Sequence, residues 1–333
     1  MKVEEVSELP LPGLDGSNPL AFLAALGVLK ASAILFGSES ALSWSSSSLS
    51  PTLRVPRGSV NLWRFCCESA QLLHDVAHDD LSAKTYESDV IKINRATFRT
   101  FAGAGAARVS KSASDRSALQ SAFAAAFGCD GIGDKSEDEV IAISAFSYAN
   151  GQGGKKLLDG FRQLAKLYRA AENKDEAPSA DGGNQEKKPS LQTLICEALT
   201  SWRRRPDYPS FRWEPVELRR YAYMANKPEH EPLKFVAGAN ALGVLGLTML
   251  SSFPFERQLE TICISAKPQS CFLWPLWESF LSVDTTTSLL AQRGERNREV
   301  APGWSTHLGV FARYGCERVS KDKSLYFSPS SAV

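Results

Sequence analysis

A run of small and apolar side chains from Leu20 to about Phe36, entered through Leu14-Asp15-Gly16-Ser17-Asn18-Pro19, constrains this chain more than any other segment. Asp15-Gly16 reads as a tight turn, Ser17 or Asn18 offers an oxygen to the free N–H groups of a helix start, and Pro19 suits the first helical position, where no donor is needed. The predicted helix is apolar or small on nearly every face, so other elements must surround it. It is expected to be a central core helix. A membrane span is the competing reading, but the run is short for one, contains Lys30 and follows no basic segment, so burial in protein is expected.

With 333 residues and 43% hydrophobic content, the chain can bury a large core in one large or two ordinary domains. Lys and Arg number 38 against 37 acidic residues, so nucleic-acid binding would need local basic patches rather than a global positive field. The seven cysteines, Cys66, Cys67, Cys129, Cys196, Cys263, Cys271 and Cys316, show no CxxC spacing. They fit a reducing cytoplasm, with neither a disulfide framework nor structural zinc.

After the first helix, the serine-rich residues 43–50 read as a loop leading to a short strand at 53–55. Leu62, Cys66, Ala70, Leu73 and Ala77 then recur at helical spacing, ending in the polar group His78-Asp79-Asp80, read as a solvated helix end. Residues 82–114 read as a Gly/Ser-rich basic loop, 118–127 as a short helix and 140–148 as a buried strand. The glycine loop 150–154 opens a helix with Leu157, Phe161, Leu164 and Tyr168 on its buried stripe. Residues 172–190 have almost no large apolar side chain and are predicted to be a flexible linker between an N-terminal lobe, 1–171, and a C-terminal lobe, 191–333. In the second lobe, helices are predicted at 191–202 and 238–250, strand or loop at 271–277, a helix over 285–293 capped by Asp284, and strands near Val310 and at 325–327. The fold class expected is α+β, predominantly helical with short mixed or antiparallel sheets, because strands do not alternate regularly with helices.

Three constellations carry candidate chemistry. His74 and His78, four apart on a helix, could share a metal, but no further His motif supports a metal-dependent hydrolase. Gly151-Gln152-Gly153-Gly154-Lys155-Lys156 could face an anion, yet Leu157 follows where a nucleotide-binding loop needs Ser or Thr. Loop flexibility, nucleic-acid backbone contact and a nucleotide pocket all remain open there. Residues 84–116 hold seven cations, among them Lys92, Arg95, Arg99, Arg108 and Lys111, against three acids, with Phe98 and Phe101 available for stacking. Residues 203–220 hold six arginines, including Arg203, Arg204, Arg219 and Arg220, against three acids. Together these segments predict a segregated basic surface. No nucleophile–base arrangement or cofactor motif can be assembled, so neither an enzyme nor a cofactor is expected.

Several segments resemble one family: residues 11–20 with Leu26-Gly27-Val28-Leu29, the 148–154 loop, Arg212-Trp213-Glu214-Pro215 with Arg219-Arg220-Tyr221-Ala222, Gly238-Ala239-Asn240-Ala241-Leu242, and Phe272-Leu273-Trp274-Pro275-Leu276-Trp277. They are similar to the small proteins encoded beside the helicase-nuclease in type I-G (formerly I-U) CRISPR systems. The resemblance spans most of the chain, but its motifs are turn and packing elements. It implies a non-catalytic, large-subunit-like component of the Cascade effector, with other Cascade subunits, CRISPR RNA, target DNA and the helicase-nuclease as partners. In such an assembly the guide reads sequence while protein reads backbone and the protospacer-adjacent motif. On this reading Arg95, Arg99, Arg108 and Lys111 would contact phosphate, Asn150 or Gln152 would reach base edges, and Lys155 and the second arginine cluster would add backbone contacts. Two alternatives are a protein adaptor for the helicase-nuclease, with 272–277 and 219–223 facing the partner, and a metal-dependent nuclease using His74 and His78.

Overall fold

A computed structural model of the protein describes residues 6–56, 58–82, 84, 94–112, 114–132, 140–147, 157–169, 188–215, 233–255, 258–265, 270–292, 309–321 and 324–333. Its helices are α1 (Pro19–Phe36), α2 (Leu62–Asp75), α3 (Arg95–Lys111), α4 (Asp115–Phe127), α5 (Leu157–Ala165), α6 (Leu191–Ser201), α7 (Ala237–Gly246) and α8 (Val283–Leu290). A first antiparallel sheet joins β1 (Ser7–Pro10), β2 (Ala41–Trp44) and β3 (Pro51–Val55); two short ladders pair β4 (Gly128–Cys129) with β5 (Ala142–Ile143) and β6 (Arg205–Pro206) with β7 (Lys234–Phe235). The later strands are β8 (Ser252–Phe255), β9 (Gln258–Thr261), β10 (Ile264–Ser265), β11 (Cys271–Trp277), β12 (Leu281–Ser282), β13 (Val310–Lys321), β14 (Ser324–Phe327) and β15 (Ser331–Ala332). Strand β12 extends the first sheet beside β2, β8 pairs β9, and β13 pairs β11, β14 and β15. The fold is α+β with short antiparallel sheets.

Helix α1 starts where the turn sequence requires, with Asn18 Oδ1 accepting from Leu20 N (2.9 Å) and Ala21 N (3.4 Å). It is long and apolar enough to cross a bilayer, with a mean hydropathy of 2.0, but 89% of it is buried inside this fold. Lys30 is accommodated because its ammonium reaches Asp115 Oδ1 at the start of α4 (3.3 Å). The closest packing partner of α1 is α7, and glycines make that approach possible. A Cβ on Gly27 would lie 2.0 Å from the Leu242 carbonyl oxygen, and one on Gly246 would lie 2.2 Å from that of Leu23. Helix α7 also packs on α6, and α6 on α2, so one cluster of buried side chains takes helices from both sides of residues 172–190. Residues 170–187 lie outside the described residues.

In the first turn of α1, Phe22 sits in a ring cluster with Trp44, Phe272, Trp274 and Trp277, its centroid 5.9–6.3 Å from theirs. The indole N–H groups of Trp274 and Trp277 donate to the Gly16 and Leu42 carbonyls, each at 2.8 Å. The two sheets are thereby tied to the helix core.

Three local expectations are corrected. Residues 95–111 form helix α3 rather than a loop, because Asn94 Oδ1 caps Ala96 N (2.8 Å) and an alanine-rich stretch follows. The strand expected over 140–148 shrinks to Ala142–Ile143, followed by a 3-10 turn at Ala145–Ser147. Ser282, not Asp284, caps α8, accepting from Thr285 N (3.4 Å).

Candidate nucleic-acid interface

Helix α3 lies along α4 and buries Arg95, Phe98, Phe101 and Gly105. Gly105 lets the backbones close up, since a Cβ there would come 2.8 Å from Ser121 N, and Gln120 Nε2 donates to the Phe101 carbonyl (2.9 Å). At about 100° per residue, the opposite face of α3 presents Ala96, Thr100, Gly103, Ala104, Ala107, Ser110 and Lys111 to solvent, with Arg99 and Arg108 on its two flanks. A flat exposed stripe edged by cations results.

Asp80 anchors this hairpin to the end of α2. The chain there forms a π turn, Val76–Asp80, closed by Leu81 N donating to the Val76 carbonyl (2.9 Å). Asp80 is fully buried, and its two oxygens accept from Arg108 Nη1 and Arg116 Nη1, whose side chains remain 43% and 33% exposed. The expectation of a solvated helix end is thus corrected at Asp80, although His78 and Asp79 are exposed. Its position three residues after Ala77, on the stripe of Cys66, Ala70 and Leu73, was the available signal. The acid is tolerated inside because two guanidinium groups meet it.

The cations named from sequence have different fates. Arg95 is 2% exposed and donates to the Asp130 (2.7 Å) and Ile132 (3.4 Å) carbonyls, so the expected phosphate contact at this residue is replaced by bracing of the turn after β4. Arg99 is half exposed and pairs with Asp130 Oδ2 (2.7 Å). Lys111 is exposed and forms no ion pair with any described residue. Lys92, Asn150, Gln152, Lys155, Arg219 and Arg220 lie outside the described residues.

The second cluster follows α6. Arg203 Nη1 and Arg205 Nη2 both reach Glu197 Oε1 (3.4 and 2.5 Å), and Arg205 Nε reaches Oε2 (2.8 Å), which raises the Arg205 pKa above its ordinary value. Arg204 Nη2 (2.5 Å) and Trp202 Nε1 (2.9 Å) donate to Oε1 of the buried Glu214. Three arginines thus share two carboxylates.

These clusters sit at opposite ends of the α2/α6 pair. The start of α6 lies beside residues 167–169, next to the end of α2, where His74 contacts Ala165 and Tyr168, so the helices run antiparallel. They meet at Cys66 and Cys196, where the Cys66 thiol, raised by burial, donates to the sulfur of Cys196 and lowers the Cys196 pKa. Counting from that contact at about 1.5 Å per residue puts Asp80 and Arg203 roughly 30 Å apart. The single segregated surface expected from charge counting is therefore two separate patches among the described residues, because alternate helix ends carry them.

Two further constellations are placed by packing. The rings of His74 and His78 are 6.2 Å apart, but His74 Nδ1 lies 3.2 Å from the Ala165 carbonyl. Among the described residues no group of three His, Cys, Asp or Glu could hold a metal ion. Phe272, Trp274 and Trp277 are at most 1% exposed, which corrects their expected role as a partner-facing surface: β11 is an inner strand, paired on both edges. Compared with known proteins, the chain matches no family model, no curated protein and no solved structure.

Proposed function

We propose that the protein is a non-catalytic subunit of a type I RNA-guided surveillance complex, which grips the backbone of target DNA beside the protospacer-adjacent motif along the exposed face of α3. One observation carries this reading: Arg108 and Arg116 share the single carboxylate of Asp80, so ion pairing leaves a positive surplus, to which exposed Lys111 adds. A guanidinium held by one N–H retains others to donate, and the buried carboxylate orients both arginines before a ligand arrives. The small side chains between Arg99 and Arg108 let a phosphate backbone approach the helix closely. In this assembly the guide supplies sequence recognition, while the protein aids strand separation and recruits the helicase-nuclease.

The test is the salt dependence of duplex binding by the full chain and by a variant carrying Arg99→Gln, Arg108→Gln and Lys111→Gln. Taking away one cation that touches a phosphate lowers the slope of log K against log salt by about 0.9, so the triple variant should have a slope smaller by about 3. Arg116 still pairs with Asp80 in this variant, and thermal unfolding checks that the fold is kept. An unchanged slope removes the reading.

A further inference from the structure

Two cysteines meet where α2 packs on α6, one from each side of residues 172–190. We propose that they form a redox site: hydrogen peroxide oxidises Cys66 and Cys196 to a disulfide that ties α2 to α6. Both are free thiols. Their register follows from contacts at the other end of the helix pair. His74, near the end of α2, has its Nδ1 3.2 Å from the Ala165 carbonyl oxygen and its ring 5.1 Å from that of Tyr168, and Leu191 N at the start of α6 donates to the Leu167 carbonyl (3.0 Å). From this level, eight residues back along α2 lead to Cys66 and five forward along α6 lead to Cys196, rises of about 12 and 8 Å, so the two come within one turn of each other. Side-chain direction completes the match. Cys66 is fully buried on the stripe of Ala70 and Leu73, Cys196 packs against the same core, and the Cys66 S–H donates to the Cys196 sulfur. Sulfurs that share a hydrogen bond face one another, as disulfide geometry requires.

The two thiols differ in a way that gives each a role. Cys196 is half-buried, and the hydrogen bond it accepts holds its pKa below the ordinary thiol value, so it supplies the thiolate that peroxide meets. Cys66 is closed to solvent and burial raises its pKa, so it stays protonated and serves as the resolving partner. Peroxide-sensing cysteines share this pairing of an accessible thiolate with a neighbouring thiol. In the first step the Cys196 thiolate attacks one peroxide oxygen; an S–O bond forms, the O–O bond breaks, and the hydroxide released takes up the proton that Cys196 gave, leaving a sulfenic acid and water. In the second step the Cys66 sulfur attacks the Cys196 sulfur; the S–S bond forms, the S–OH bond breaks, and the departing hydroxide leaves as water with the Cys66 proton. The thiol pair loses two electrons, and peroxide is reduced to two waters. The staple fixes α2, whose end carries Asp80 and the arginines of α3 and α4, against α6.

The experiment treats the reduced full-length protein with dilute hydrogen peroxide at neutral pH, caps the remaining thiols with an alkylating agent and maps the peptides by mass spectrometry. The Cys66 peptide should appear joined to the Cys196 peptide, and dithiothreitol should release both. In urea, where α2 and α6 no longer hold the sulfurs together, the link should lose its preference over other cysteine pairings. Cys66→Ser removes the resolving sulfur and should leave a Cys196 sulfenic acid that dimedone labels, whereas Cys196→Ser should leave Cys66 unoxidised. Thermal unfolding checks that both variants fold, and the wild-type map stands without them. Three outcomes overturn the site: both thiols untouched in the native protein, Cys196 carried on to sulfinic acid with no linked peptide, or Cys196 joined to Cys67 or another cysteine in place of Cys66. None of these readouts involves nucleic acid, so they stand apart from the test of the proposed function.

Discussion

Replacing Gly27 with Ala tests the packing that organises the whole molecule. In an isolated helix this change is favourable by about 1 kcal/mol. Here the new Cβ would sit 2.0 Å from the Leu242 carbonyl oxygen and 2.6 Å from its carbon, whereas ordinary contact begins at 3.4 Å. The obstructing atoms are backbone, so α7 must retreat from α1 by about 1.4 Å. A gap of about 0.5–1 Å already forfeits a quarter to a half of each dispersion contact across it. Overpacking of this kind costs about 3 kcal/mol, and after the helix gain a net destabilisation of about 2 kcal/mol is expected. Urea unfolding followed by tryptophan fluorescence reads it well, because Trp44 and Trp274 touch Phe22 on the same helix. Gly103→Ala is the control: nothing lies within 4 Å of a Cβ there, so α3 should gain about 0.5–1 kcal/mol. Should Gly27→Ala prove as stable as the wild type, the close α1–α7 contact is wrong.

Asp80→Asn removes the charge that Arg108 and Arg116 share, and should destabilise by about 1–3 kcal/mol, less than a fully buried pair because both guanidinium groups reach solvent. Hydrogen exchange should quicken across 95–127, and unchanged protection would refute the clamp. Cys196, lowered by the Cys66 S–H, should react with a disulfide reagent well before Cys66, which burial raises; equal rates would contradict their contact. Burial pushes the Cys263 thiol from about 9 up to about 12, so its contribution is intact below pH 9 and is lost as pH rises toward 12, the unfolded thiol ionising first. Stability measured across that window should fall less steeply in Cys263→Ser than in the wild type; parallel curves would exclude this thiol as the cause.

Elements were legible where one residue type dominates a local decision. Asn18 with Pro19 set the start of α1, and its uniform apolarity announced burial on all sides. The spacing of Cys66, Ala70, Leu73 and Ala77 gave α2, whereas 271–277, read as strand or loop, resolves to strand β11 once its pairing partners are in place. Helix α3 was hidden because Gly103 and Gly105 mimic a loop, though Gly105 is there for its fit against Ser121. Charge counting found the basic segments but not their partners. The acids that hold Arg99, Arg108, Arg204 and Arg205 lie 31, 28, 10 and 8 residues away, and only tertiary structure brings such pairs together. Nor could spacing reveal Arg212 over the Tyr326 ring, a contact that only tertiary structure makes.

The central claim is that the exposed face of α3 lies against target DNA in the assembled complex. Gly103 offers the most direct probe, since it is exposed and has open space where a side chain would go. A photo-crosslinking p-benzoylphenylalanine in its place, irradiated in the complex on labelled target duplex, should attach to a DNA strand. Crosslinks to neighbouring protein subunits alone, in complexes that still hold the duplex, would contradict the account.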